Sequence, residues 1–196
     1  MSTYIICITD DLAGDVKLYS SHINAMIINE AGLSTLQDND TLVIYGHGEW
    51  SNVGGIARAT NKIIWGTKAI NGTKTCDKLI ESDFPVGRTN ITIVVHCCFS
   101  AGTIENPPTQ VESQSTFAGQ LCSALKAYYF PGLRVIGYQG QTKAGKAGFA
   151  AGQTANAPRV LRGQQDPNLA DLWALTYGGP GDRDVLLASG ARASFS

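Results

Sequence analysis

The sequence has no apolar run approaching the roughly 18 residues that a membrane-spanning helix needs. The segment after Met1 also lacks a basic region followed by a long apolar stretch, which is the pattern of a secretory signal peptide. Charged residues are few, at 16% with a formal net charge of -1, so no broad basic surface is expected for phosphate backbones or anionic lipid. These absences predict a cytoplasmic protein with no nucleic acid and no membrane as partners, and they leave delivery as a secreted effector open.

Paired and clustered cysteines are also missing. The five cysteines are an odd number and none stands in a C-x-x-C spacing, which disfavours both a disulfide framework and a zinc site. Cys7 and Cys122 fall in apolar runs, where a cysteine usually packs as a small hydrophobic residue. We therefore predict no metal site and at least one thiol that stays reduced.

What the sequence does contain is enough apolar material for one buried core. Its 196 residues are 43% hydrophobic, and the chain is too short for two domains that each have a well-buried core. Residues 1–196 are therefore predicted to form a single domain. Residues 3–140 carry its regular pattern, and residues 141–196 form a less regular carboxy-terminal part. Four short runs rich in β-branched residues are predicted as parallel strands buried on both faces: Tyr4–Ile8, Thr41–Tyr45, Ile91–Val95 and Leu133–Ile136.

Segments with apolar residues at helical spacing lie between these strands. The spacing predicts a helix that includes Val16 to Ile27, a short helix near Thr75 to Glu81 and a third from Phe117 to Tyr128. Alternating strands and helices are typical of an α/β fold with right-handed crossovers. The fold class is therefore α/β, with three layers (α/β/α) and a mostly parallel central sheet.

Three shorter elements are predicted outside this regular pattern. A small hairpin between Val53 and Gly66 is expected beside the main sheet, with its turn between Ile56 and Ile63. Segment Leu169 to Leu175 is expected to form one or two helical turns, and Val185 to Leu187 a late edge strand.

Chemically reactive residues follow the second and third predicted strands. Tyr45-Gly46-His47-Gly48 ends one strand and His96-Cys97-Cys98 ends the other. The carboxyl ends of neighbouring parallel strands face one crevice, so the His47 imidazole and a thiol are expected to meet there. An imidazole that takes the thiol proton creates the nucleophilic thiolate. The backbone N–H groups of Gly48 and Cys98 are the predicted oxyanion hole, because glycine lets the backbone approach a bound carbonyl closely.

These segments resemble the motifs of the caspase-like cysteine peptidases, which include legumain, gingipain, metacaspases and the self-cleaving domains of large bacterial toxins. An apolar strand precedes His47-Gly48, a second precedes Cys98, and their separation (98 minus 47, or 51 positions) is similar to the family's crossover. Segment Ser115 to Gly140 also looks like the helix and strand that follow the nucleophile in the toxin domains. The resemblance implies a caspase-like fold and a cysteine endopeptidase that hydrolyses peptide bonds through an acyl-enzyme on Cys98, with His47 as acid and base. Its implied partner is a peptide or protein substrate, and autoprocessing fits the toxin-like members.

The sequence alone leaves the choice of nucleophile open. Cys97 and Cys98 are adjacent, so on a continuing strand they point to opposite faces and only one of them meets His47. The resemblance puts the small buried residue first and the nucleophile second, which assigns Cys98. The opposite assignment, in which Cys97 attacks and Cys98 packs, is the alternative.

Further residues near the predicted site are candidates for substrate binding. In relatives the position of His96 carries Gln, Glu or Asp and helps form the S1 pocket, so His96 is either a pocket residue or a hydrogen-bonded residue at the strand end. Asp10 and Asp11 follow the first strand, where the resemblance implies a charged S1 residue; an acidic one would select Arg or Lys at P1. An aspartate in this place is also a common turn former or helix cap. Glu49 and Trp50 either line the cleft or stand at its rim.

No metal or organic cofactor is required by this chemistry. Calcium or inositol phosphate activates some relatives. No ligand cluster demands either, but Lys143, Lys146, Arg159 and Arg162 make a polyanion site conceivable.

Two other functions remain as alternatives: a catalytically silent caspase-like interaction module, and a flavodoxin-like protein that binds a small ligand. The acidic residues in Thr9 to Gly14 disfavour the second, because they repel phosphate. The oligomeric state is not determined by the sequence.

Overall fold

The computed structural model describes residues 1–53, 56–102, 110–139, 141–144, 174–177, 185–187 and 192–196. The strands are, in chain order, β1 (Thr3–Cys7), β2 (Met26–Ile28), β3 (Thr41–Tyr45), β4 (Gly48–Val53), β5 (Ile56–Trp65), β6 (Lys68–Asn71), β7 (Thr92–His96), β8 (Arg134–Tyr138), β9 (Gln141–Ala144), β10 (Ala174–Tyr177), β11 (Val185–Leu187) and β12 (Arg192–Phe195). The α-helices are α1 (Ala13–Ile23), α2 (Gly72–Glu81), α3 (Gln110–Ser113) and α4 (Phe117–Lys126). Short 3-10 helices cover Asp10–Leu12 and Glu30–Thr35.

A six-stranded, mostly parallel sheet has the strand order β12-β8-β7-β3-β1-β2. All neighbours in it are parallel except β12, which runs antiparallel to β8. Every residue of β3 and β7 is buried, as expected for central strands that are covered on both faces. The prediction of four central parallel strands is confirmed. Because Tyr45 pairs with both Cys7 and His96, strands β1, β3 and β7 end at one level.

Helices pack against both faces of this sheet. On one face, Val16 of α1 joins Val43 in a small apolar cluster. On the other face, Leu79 of α2 and Leu121 of α4 pack with Ile44 in a larger cluster. Each such side chain contributes about 1.5–3 kcal/mol when it is fully buried, so both clusters fix the helices on the sheet. None of the helices within the described ranges is long and apolar enough to cross a membrane.

The first helix is shorter than predicted. It ends at Ile23, because Asn24 adopts a left-handed conformation with a φ of 52°. The chain then forms the edge strand β2, in which Ile27 pairs with Ile5 of β1. The apolar spacing that predicts one long helix thus combines a helix and a strand. The other two predicted helices correspond to α2 and α4.

A separate antiparallel sheet of β4, β5 and β6 lies outside the six-stranded sheet, as predicted for the hairpin. The turn predicted between Ile56 and Ile63 is wrong, since β5 runs without interruption from Ile56 to Trp65. The polar residues there mark an irregularity of the strand instead. The register with β4 shifts between Glu49 and Trp50, and Asn61 has a φ of 59°. The apparent turn signal is therefore that of a β-bulge.

The carboxy-terminal segments add a third sheet, formed by β9, β10 and β11. Val185–Leu187 is an edge strand there, which confirms its prediction. The prediction of helical turns over 169–175 is wrong for Ala174 and Leu175, which belong to β10. Residues 169–173 lie outside the described residues. Among the four basic residues considered for a polyanion, Lys143 belongs to β9 and the other three, Lys146, Arg159 and Arg162, lie outside the described residues.

Candidate active site

His47 lies in the short connection between β3 and β4. Its backbone carbonyl accepts a 2.8 Å hydrogen bond from the N–H of Ile64, so β5 holds this connection in place. Gly46 packs so tightly on Ile8 that an added Cβ would stand 2.7 Å from the Ile8 Cδ1 atom. Glycine at position 46 therefore lets β3 end close beside the chain that leaves β1. The His47 side chain emerges from the core and is 47% exposed.

Cys98 lies in a tight turn that follows β7. Phe99, the next residue, has a left-handed φ of 56°, which is uncommon for a bulky side chain. The buried hydroxyl of Ser100 donates to the Val95 carbonyl at 3.0 Å and accepts the N–H of Tyr138 at 2.9 Å. The turn is thus tied to β7 on one side and to β8 on the other, and Cys98 is held by both strands.

The His47 connection and the Cys98 turn are in direct contact. Gly48 lies against the backbone of Cys98, where an added Cβ would overlap the Cys98 carbonyl oxygen and stand 2.9 Å from the Cys98 nitrogen. Only a residue without a side chain permits this approach. The structure therefore brings together the residues that follow the two strand ends, and the two backbone segments considered for an oxyanion hole adjoin each other.

Asp11 is the hydrogen-bond partner of His47. Its Oδ2 atom lies 2.9 Å from Nε2 of His47, and this hydrogen bond holds the pKa of Asp11 below its ordinary value. An ionised carboxylate can only accept, so Nε2 carries the proton and Nδ1 is the nitrogen left to act as a base. The sequence suggests Asp11 as a pocket wall or a turn residue, but its carboxylate is engaged with the imidazole. Asp10, its neighbour in the 3-10 helix, is exposed.

The two adjacent cysteines differ in their surroundings. Cys97 is fully buried, with its Sγ 3.9 Å from the carbonyl oxygen of Ile44, and burial raises its pKa well above the ordinary value for a thiol. A thiol in that position stays protonated and is inaccessible to a substrate. Cys98 is partly exposed. This difference favours Cys98 over Cys97 as the reactive residue.

His96 lies on the buried face of β7 among three tyrosines. Its ring stacks on Tyr45 with centroids 4.6 Å apart, and the rings of Tyr19 and Tyr138 lie 5.2 Å and 5.9 Å away. The residue is 2% exposed, and burial lowers its pKa to about 4. The ring lies at the strand end, as one of the two roles left open by the sequence requires, but its Nε2 atom has no hydrogen-bond partner among the described residues. A substrate side chain reaches the ring only if the tyrosine cluster opens.

Two contributors to this site escape the sequence analysis. Ser100 is a small polar residue in a run of small residues, and nothing in the pattern distinguishes a structural hydroxyl from an exposed one. The bond between Asp11 and His47 joins residues 36 positions apart, which no local periodicity reveals. The available signal is that Asp11 follows β1 at the same end of the sheet as His47.

The described part of the chain contains no group of three or more His, Cys, Asp or Glu side chains that could hold a metal ion. Neither the models of known protein families nor a search of characterised proteins gives a match to this sequence.

Proposed function

We propose that this chain is a cysteine endopeptidase of the caspase-like type, with Cys98 as nucleophile and His47 as acid and base. The observation that carries the proposal is the contact of Gly48 with the Cys98 backbone, because it sets an imidazole-bearing loop against a thiol-bearing turn. The parallel order β8-β7-β3-β1-β2, with helices on both faces, supports the three-layer fold that the resemblance implies.

Acylation begins when the basic Nδ1 of His47 takes the proton of the Cys98 thiol. The resulting thiolate attacks the carbonyl carbon of the scissile peptide bond, and the C=O electron pair moves onto oxygen. The N–H groups of Gly48 and Cys98 are the proposed donors to that oxyanion. The C–N bond then breaks as the imidazolium donates its proton to the leaving amine, and Cys98 is left as a thioester.

Hydrolysis of the thioester uses the same residues in reverse. His47 takes a proton from water, the hydroxide attacks the thioester carbonyl, and the Cys98 sulfur leaves and recovers a proton from the imidazolium. The Asp11 carboxylate keeps the proton on Nε2 and stabilises the imidazolium in both half-reactions. Substrate enters as a peptide or protein chain, with exposed Asp10 as the candidate for an acidic contact with a basic P1 residue.

The proposal is tested by incubating the protein with a diverse peptide library and identifying the cleaved bonds by mass spectrometry. We expect Cys98→Ala to abolish cleavage, and Cys97→Ala, which removes only a buried thiol, to retain a substantial part of it. Loss of the His47 imidazole should lower the rate on the order of 10²- to 10⁴-fold, the usual contribution of a general base.

Two results would contradict the assignment. If Cys98→Ala still cleaves peptides and Cys97→Ala does not, Cys97 is the nucleophile. A wild-type protein that cleaves no peptide and is not labelled by thiol-directed peptidyl inhibitors would instead support the silent interaction module.

A further inference from the structure

Trp50 is a large aromatic side chain that stays in contact with solvent beside the Cys98 turn. The residue is 41% exposed, although its ring centroid lies only 6.1 Å from that of the buried Phe99, at an interplanar angle of 45°. Phe99 directly follows Cys98, so one side of the indole covers the nucleophile turn and the other side is open. An exposed indole beside reactive residues is a surface on which an apolar group of a ligand can pack.

The orientation of Trp50 is built into the strand that carries it. The register of β4 and β5 shifts between Glu49 and Trp50, and Asn61, on the opposite strand, has a left-handed φ of 59°. The hydroxyl of Thr60 donates to the Glu49 carbonyl at 2.8 Å, and Lys62 lies 3.6 Å from the Glu49 carboxylate. A β-bulge commonly redirects a side chain next to a site. These contacts fix the bulge and with it the direction of the indole.

The position of Trp50 along β4 indicates which part of a substrate it meets. In the proposed reaction His47 protonates the leaving amine, so the residue that follows the scissile bond lies on the His47 side of the cleft. Strand β4 begins at Gly48, directly after His47, and Trp50 is the aromatic residue that it presents there. We infer that Trp50 forms the wall of the subsite for the first residue after the scissile bond, P1′, and that it selects a large apolar side chain there.

This inference rests on the proposed peptidase function and adds a specificity to it. An apolar side chain that covers an open indole face is only partly removed from water. We therefore expect a preference of about tenfold for Phe or Leu over Ala or Asp at P1′, near the lower limit of what apolar pockets achieve.

The experiment compares kcat/KM of wild type and Trp50→Ala on peptides that share the acyl-side sequence found with the library and differ only at P1′. Methyl esters of the same acyl peptides serve as substrates without a P1′ residue. We expect Trp50→Ala to lose the tenfold preference and to hydrolyse the esters at the wild-type rate. Trp50→Phe should retain the preference. Tyr129→Ala, which removes an exposed aromatic at the opposite end of the sheet, should behave as wild type.

Three results would overturn the inference. The P1′ preference of Trp50→Ala could be unchanged, its kcat/KM could fall equally on peptides and esters, or only its preference for residues before the scissile bond could change. If Trp50→Ala does not fold, Trp50→Lys suits the exposed position and is expected to lose the preference for Phe and Leu and to favour Asp. A wild type that hydrolyses neither peptides nor esters refutes the proposed function, whereas hydrolysis without any P1′ preference refutes only the role of Trp50.

Discussion

Asp10 and Asp11 carry the same side chain one residue apart, but they have different surroundings. Asp11 accepts a hydrogen bond from His47, whereas Asp10 is exposed next to it in the same 3-10 helix. Both members of the Asp11–His47 pair are well exposed, at 68% and 47%, so their attraction adds little to the stability of the fold. Its consequence is chemical, since it decides which imidazole nitrogen holds a proton.

The matched variants Asp11→Asn and Asp10→Asn separate these two roles. Asp11→Asn removes the charge that stabilises the imidazolium, so we expect kcat to fall on the order of 10- to 100-fold on every substrate. Asp10→Asn should keep the wild-type kcat on substrates with a neutral P1 residue and lose rate only on substrates with Arg or Lys at P1. Steady-state kinetics between pH 5 and 9 measure both, and identical behaviour of the two variants would contradict the separation.

The Cys98 turn shows how neighbouring elements hold the nucleophile. The Ser100 hydroxyl bonds Val95 of β7 and Tyr138 of β8 simultaneously, and the Ala101 N–H adds a second bond to β8 by donating to the Tyr138 carbonyl at 2.9 Å. Phe99 keeps an uncommon backbone conformation within this turn. Such a conformation persists only where its surroundings enforce it.

Ser100→Ala leaves a buried N–H of Tyr138 and the Val95 carbonyl without this hydroxyl. Each buried polar group left unsatisfied costs about 1–3 kcal/mol, so the free energy of unfolding should fall by roughly that amount or somewhat more. Peptidase activity should fall with it, because the turn loses one of its bonds to β8 and its side-chain bond to β7. The control is Ser115→Ala, since the Ser115 hydroxyl donates to Glu112 at the surface and its loss should cost less than about 0.5 kcal/mol. Urea titration compares them, and equal effects of the two variants would contradict the role of Ser100.

Across the whole molecule, the central strands were the most predictable part. Runs such as Thr41–Tyr45 are covered on both faces, and a continuous apolar sequence is the direct result of that burial. The apolar spacing predicts a helix at Ile27 because three-residue and four-residue spacings continue by chance across the left-handed Asn24. The pairing of Asp11 with His47 could not be predicted in the same way, because it depends on where three strands end relative to each other.

The buried imidazole of His96 makes the stability of the fold depend on pH. Its pKa is about 4 in the folded protein and 6.5 in the unfolded chain, so the unfolded state binds a proton first as the pH falls. Stability is therefore fully present above pH 6.5 and is lost between pH 6.5 and about 4, by up to about 3 kcal/mol.

His96→Phe should abolish this loss, because a phenyl ring occupies the tyrosine cluster without titrating. Urea denaturation at pH 7, 6, 5 and 4 measures it. Carboxylates with lowered pKa, such as Asp11 and Glu30, lose their stabilising effect only at the acid end of this range and do so in both proteins. Parallel pH dependences of wild type and His96→Phe would contradict the assignment to His96.

The hydrogen bond from the Tyr138 N–H to the Ser100 hydroxyl joins two residues that are synthesised at different times. A ribosome makes Cys98 long before it makes Tyr138, so a growing chain possesses the nucleophile while the partner that fixes its turn does not yet exist. His47 and Asp11 are already present at that stage. The nascent chain therefore carries every group that the proposed chemistry uses, without the β8 strand to which the Cys98 turn is bonded. The bonds that tie the Cys98 turn to β8 therefore form only after β8 has been synthesised, well after Cys98 itself.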